Sequence, residues 1–187
     1  MTPENLFQLS LFVFAAVELW LTLRDSWRKI TSVTKLGQGQ LRLLLAVAFI
    51  LAGLTRSLTL MPLTSQTSTP LLIGAVLIWC GMALRLWAVF TLGKFFRVTL
   101  TIQASHHVVT NGPYKYVRHP SYTGLLLVLI GLGVGLNDWL SLASIVILCG
   151  WALHQRIVVE ERLLTSTLGS EYQEYTSHTK RLIPFIY

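Results

Sequence analysis

Apolar positions fall in long runs along this chain, separated by short polar segments. A helix crossing a bilayer needs about 20 mostly apolar residues, each rising about 1.5 Å. Five runs meet or approach that requirement: Leu6–Leu23, Leu43–Met61, Leu71–Leu92, Tyr122–Leu136 and Trp139–Val158. The fourth is short and is followed by Asn137–Asp138, which predicts a tight helical hairpin with the fifth. The first holds Glu18, lacks a basic start and has no small-residue cleavage site after it, unlike a cleaved signal peptide. Gly131, Gly133 and Gly135 make a GxGxG pattern inside the fourth run. No strand precedes it, so close helix packing is the expected use rather than phosphate binding. The pattern predicts an all-α integral membrane protein with about five transmembrane helices in one domain, 1–187. Residues 1–93 would supply three spans and 94–187 a functional half with the hairpin.

Composition supports the membrane reading. Residues are 53% hydrophobic and 12% charged, with a mean hydropathy of +0.60. A soluble domain carries roughly a quarter charged residues, so a disordered chain and an ordinary soluble enzyme are both poor fits. The net charge of +7 sits beside the apolar runs rather than on a nucleic-acid-binding face. Thirteen of the fifteen basic residues lie in the first and third connections or at the C-terminal end, and Pro62–Pro70 has none. The positive-inside rule then places the N-terminus outside and the C-terminus in the cytoplasm. The membrane would be the inner or plasma membrane in a prokaryote and the endoplasmic reticulum in a eukaryote. Cys80 and Cys149 both lie in apolar runs with no CxxC pair, and are expected to be buried and reduced. Glu18 and Arg85 have similar predicted depth. Either they pair within the membrane, or each reaches the interface alone.

Two polar segments hold the candidate chemistry, Thr99–Tyr122 and His154–Tyr187. In the first, His106–His107 has no carboxylate or cysteine at ligand spacing, so no metal site is expected. Asn111-Gly112-Pro113 is a turn signal. Pro120 suits the first turn of a helix, which would put His119 and Ser121 at a helix mouth whose amides favour an anionic group. Tyr114, Tyr116 and Tyr122 offer apolar faces with polar tips, a mix that suits an adenine ring with a charged tail. The same residue types also serve as interfacial anchors. In the second segment the fifth helix would continue past the membrane and end near Gly169. Arg156 and Glu160, four apart, would share a face. They make either a solvated ion pair or a cation and a carboxylate at the mouth of a membrane pocket. His154 is expected to be a packed or interfacial histidine.

The run Gly112-Pro-Tyr-Lys-Tyr-Val-Arg-His-Pro-Ser-Tyr122, the Glu160–Glu161 pair, Leu-Gly-Ser-Glu-Tyr172 and Arg181-Leu-Ile-Pro184 resemble the isoprenylcysteine carboxyl methyltransferase family. The resemblance covers about the last 90 residues and implies S-adenosylmethionine as cofactor. It implies cofactor binding by His106, His107, Val108, Val109 and Tyr114, then by His119, Pro120, Ser121 and Tyr122. Glu160 matches a cofactor-contacting glutamate, and Arg156 an arginine that holds the substrate carboxylate. These two are the expected catalytic residues. An upstream polar contact falls on Thr99 or Gln103. The cofactor pocket would be cytoplasmic, formed by the last loop and the C-terminal helix. The acceptor would be a lipophilic small molecule or a prenylated protein drawn from the bilayer, with no nucleic-acid partner. Three other readings compete. They are a phospholipid or amine N-methyltransferase, which needs a general base, an NADPH-dependent sterol or enone reductase, and a non-catalytic membrane module. The Glu160–Glu161 pair and Ser121 weigh against the reductase.

Overall fold

The computed structural model describes residues 1–26, 50, 54, 62–66, 68–96, 108–184, 186 and 187. Among these the regular structure is helical. Helix α1 runs Pro3–Ser26, α2 Ser68–Leu92, α3 Pro120–Gly135, α4 Trp139–Leu168 and α5 Ser170–His178, with 3-10 turns at Gly93–Phe95 and Gly112–Lys115. Within α1 the stretch Pro3–Arg24 is long and apolar enough to cross a membrane, as are α2 and α4, while α3 is apolar but shorter. The predicted first, third, fourth and fifth runs are therefore helices. The predicted second, Leu43–Met61, lies outside the described residues except for Ile50 and Leu54.

The bundle carries its apolar side chains outward as well as inward. Phe12, Leu19, Val76, Trp79, Trp87, Phe90, Ile147 and Trp151 are all exposed. A soluble protein rarely tolerates such a surface, whereas a bilayer solvates it. Cys80 belongs to this outward set. It is exposed, against the expectation of burial, while Cys149 is fully buried. An apolar residue of a membrane helix need not face the core, so hydropathy alone could not separate the two.

Small residues let α2 and α3 pack closely. A Cβ on Gly81 would lie 2.5 Å from the Gly124 carbonyl oxygen, and one on Gly131 would lie 2.7 Å from that of Gly74. Neither gap admits a methyl group, so the glycines permit backbone contact between the helices. The expected packing role of the GxGxG run is met. Phe7, Ala75, Ile78, Met82 and Val128 form one core among α1, α2 and α3. Leu129, Ile145, Cys149 and Leu153 form another between α3 and α4. The hairpin turn is also as expected. Asp138 caps α4 by accepting from the Ser141 amide at 2.8 Å and its hydroxyl at 2.9 Å. Asn137 adopts a left-handed φ of 54°.

A polar junction ties three helices together at the opposite end of α3. Arg85 donates from Nε to Glu18 Oε1 at 2.5 Å and from Nη2 to Oε2 at 2.9 Å. Its Nη1 reaches Ser121 Oγ at 2.8 Å and the Ser121 carbonyl at 3.2 Å. Of the two sequence readings, the ion pair is the one that forms. This bidentate geometry satisfies a buried guanidinium that would otherwise be costly at this depth.

Candidate functional site

Pro120 is the first residue of α3, with His119 as the preceding cap position, as the sequence predicts. This start puts Tyr122 in the first helical turn, facing α4. Its hydroxyl donates to Glu160 Oε2 at 2.6 Å and accepts from Arg156 Nε at 2.6 Å. The Arg156 guanidinium also lies over the Tyr122 ring, 5.7 Å from its centroid. The His119 ring stacks on the Tyr122 ring, with centroids 5.6 Å apart. Arg156 and Glu160 do share a face of α4, and the Tyr122 phenol bridges them. Arg156 is only 8% exposed.

Glu161, the next residue, faces a different set of cations. Arg118 Nε lies 2.9 Å from Oε1, while Arg181 reaches Oε2 from Nε at 2.9 Å and from Nη2 at 2.8 Å. His119 Nε2 is 3.4 Å from Oε1. Arg118 also donates to the carbonyls of Thr176, at 3.2 Å, and Thr179. The backbone repeats the connection: Arg118 N–H donates to Lys180 O at 2.7 Å and His119 N–H to Arg181 O at 3.0 Å. Charge-assisted bonds on one carboxylate thus hold the start of α3, the end of α4 and the C-terminal segment together.

Three tyrosines close the site from the side of the Gly112–Lys115 turn and α5. Tyr175 donates to the Tyr114 carbonyl at 2.6 Å. Burial raises the Tyr114 phenol well above its ordinary pKa, and the neighbouring Glu160 adds to that shift. Tyr175 is pushed up to about 12, again chiefly by burial. Tyr172 is 4% exposed. Its hydroxyl is buried with no hydrogen-bond partner among the described residues. Upstream, Val108 N–H donates to Glu171 Oε1 of α5 at 2.9 Å.

Tyr114, His119, Pro120, Ser121, Tyr122, Arg156 and Glu160 therefore converge at one end of the α3–α4 hairpin. Val108 and Val109 are half-buried, in the segment that Glu171 joins to α5. His106, His107, Thr99 and Gln103 lie outside the described residues. The mouth of α3 departs from expectation. The amides of Tyr122 and Thr123 both donate to the His119 carbonyl at 3.0 Å, and the Ser121 hydroxyl is engaged by Arg85. The two amides already serve the fold, and the Ser121 oxygen accepts from Arg85, so an anionic group would meet side-chain cations instead. His154 is exposed, with Nδ1 2.5 Å from the Tyr187 hydroxyl.

Sequence reasoning gave no site role to Arg85, Arg118, Tyr172, Tyr175 or Arg181, and offered Glu161 only as a base for the amine-methylating alternative. The Glu160–Glu161 pair and the Ser-Glu-Tyr172 run stand out in the sequence, but their partners lie 20 to 63 positions away, beyond any helical period. Together the site offers a carboxylate, a cation, aromatic rings and one buried unpartnered hydroxyl. That set fits a ligand with a ring and charges of both signs, as S-adenosylmethionine has.

Residues 72–166 match the sequence model of the isoprenylcysteine carboxyl methyltransferase family. A probable protein-S-isoprenylcysteine O-methyltransferase of Oryza sativa subsp. indica is 30% identical over 184 residues, covering 97% of this chain and 95% of the rice protein. Protein-S-isoprenylcysteine O-methyltransferase of Saccharomyces cerevisiae is 31% identical over 190 residues, covering 97% and 80%. The fold is similar to the solved eukaryotic intramembrane Ras methyltransferase, an isoprenylcysteine carboxyl methyltransferase. The TM-score is 0.63 at 23% identity, over 87% of this chain and 56% of the solved one.

Proposed function

The chain belongs to the isoprenylcysteine carboxyl methyltransferase family of integral membrane enzymes, and on that premise we propose how its residues divide the work. The methyl group passes from S-adenosylmethionine to the carboxylate of a lipophilic, isoprenylcysteine-like acceptor. The observation that carries this reading is the Tyr122 hydroxyl joining Arg156 to Glu160, each at 2.6 Å. Cofactor binding falls to Glu160, Tyr114, His119, Pro120, Ser121, Tyr122, Val108 and Val109, with His106 and His107. Acceptor binding falls to Arg156. The site end of the bundle faces the cytoplasm, where the cofactor is available, and the apolar acceptor tail stays in the bilayer.

The bound cofactor supplies an electrophilic methyl group on a sulfonium centre. The chain's own contribution is placement. A terminal α-carboxylate is ionised at neutral pH, so no residue has to remove a proton. Arg156 orients that carboxylate, and Tyr122 fixes Arg156 by holding its Nε. Correct placement alone is worth several kcal/mol of barrier. Tyr122 also holds Glu160, so the acceptor side and the cofactor side of the site are set by one phenol. Arg156 and Tyr114 are both buried, which keeps water from a reaction in which opposite charges cancel.

Calorimetry on the detergent-purified protein tests the cofactor, comparing S-adenosylmethionine, S-adenosylhomocysteine and NADPH. Saturable binding of the adenosyl compounds alone is expected. Transfer of labelled methyl from S-adenosylmethionine is then measured with an S-prenylated cysteine bearing a free carboxylate, and with its carboxamide. Labelling of the first only is expected. NADPH binding alone, or equal labelling of both acceptors, would overturn the reading.

A further inference from the structure

We propose that the Tyr172 hydroxyl is an additional cofactor contact, donating a hydrogen bond to an acceptor atom of bound S-adenosylmethionine. The inference rests on the methyltransferase reading above. Gly169, at φ 58°, reverses the chain after α4. That reversal brings the first turn of α5 back over the end of α4. Tyr172 and Tyr175 are three apart on this helix and so share a face. Their rings lie 6.1 Å apart. Tyr175 spends its hydroxyl on the Tyr114 carbonyl.

Among the described residues the Tyr172 hydroxyl has no such partner, although the residue is only 4% exposed. Folded proteins keep very few buried hydroxyls unpaired, and each one that persists calls for a partner. The charges that bear most on this phenol are those of Glu161, Arg118 and Glu160. Glu161 is already taken up by Arg118 and Arg181. Glu160 is the proposed cofactor carboxylate. The Tyr172 ring lies against Tyr175, whose hydroxyl holds the carbonyl of Tyr114, a proposed cofactor residue, so the donor is on that side of the site. Burial raises its pKa well above the ordinary phenol value, so it remains a neutral donor at any working pH.

Two measurements on Tyr172→Phe test the proposal. The first is calorimetry with S-adenosylhomocysteine against wild type and Thr69→Val, a control that removes an exposed hydroxyl at the start of α2. Tyr172→Phe should weaken binding about five- to tenfold, the usual worth of one neutral hydrogen bond, and Thr69→Val should not. The second is the melting temperature without ligand. It should be unchanged or higher, because the variant removes an unpaired buried hydroxyl. Binding equal to wild type would overturn the proposal. So would a lower melting temperature without ligand, which would mean that the hydroxyl has a protein partner. Failure of the wild type to bind S-adenosylhomocysteine would instead remove the methyltransferase reading, and this inference with it.

Discussion

Tyr122 holds a cation and a carboxylate through one oxygen, and that arrangement makes separable predictions for Tyr122 and Arg156. Tyr122→Phe keeps the ring under Arg156 but removes both hydrogen bonds. Bonds to charged groups are worth about 1.5–3 kcal/mol each, so losing both should lower kcat/KM for methyl transfer on the order of a hundredfold to ten-thousandfold. Arg156→Ala should raise KM for the acceptor and leave the affinity for S-adenosylhomocysteine nearly unchanged. Steady-state rates beside calorimetry check both, and the clamp assignment fails if Arg156→Ala turns over a carboxylate acceptor normally. At this scale the sequence was partly legible. The i, i+4 spacing put Arg156 and Glu160 on one face, and Pro120 located the turn that delivers Tyr122. What periodicity could not give was the bridge itself, because Tyr122 comes from another helix 34 and 38 positions away.

Among the elements, the hairpin turn at Asn137–Asp138, the proline-led start of α3 and the end of α4 at Gly169 are all local features, and local sequence predicts them. The docking of α5 and the C-terminal segment is not local. It depends on Arg118, Glu161 and Arg181, and on Tyr175 reaching the Tyr114 carbonyl. That tyrosine contact gives α5 a pH dependence. An unfolded tyrosine titrates near pH 10, while folded Tyr175 is held up to about 12. The folded state binds the proton more tightly, so this contribution is fully present below about pH 10 and is lost as pH rises through about 12. Tyr114 and Tyr172 shift in the same direction for the same reason, burial. Wild type should therefore melt higher than Tyr175→Phe at pH 8, with the difference shrinking between about pH 10 and 12. A constant difference over that range would mean that the hydroxyl does not support the docking.

Across the whole molecule, Glu18 and Arg85 link the first span to the site. Their depth could be read from hydropathy, but whether they met was open, since one sequence does not position α1 against α2. The pair does more than neutralise itself, because Arg85 also holds the Ser121 hydroxyl and carbonyl at the start of α3. Stability and site geometry should then separate in a mutant cycle. Glu18→Gln leaves a buried guanidinium without its carboxylate. Removing one partner of a buried pair typically costs about 3–5 kcal/mol. Here about 2–4 kcal/mol is expected, because the Glu18 side chain is 28% exposed. Adding Arg85→Met removes the stranded cation, and such apolar replacements of whole pairs are often neutral. The double variant should therefore regain most of the lost melting temperature. It should not regain cofactor affinity, because Ser121 and the first turn of α3 have still lost their anchor. If S-adenosylhomocysteine binding recovers in step with the melting temperature, the junction serves the bundle alone and Arg85 has no part in positioning the site.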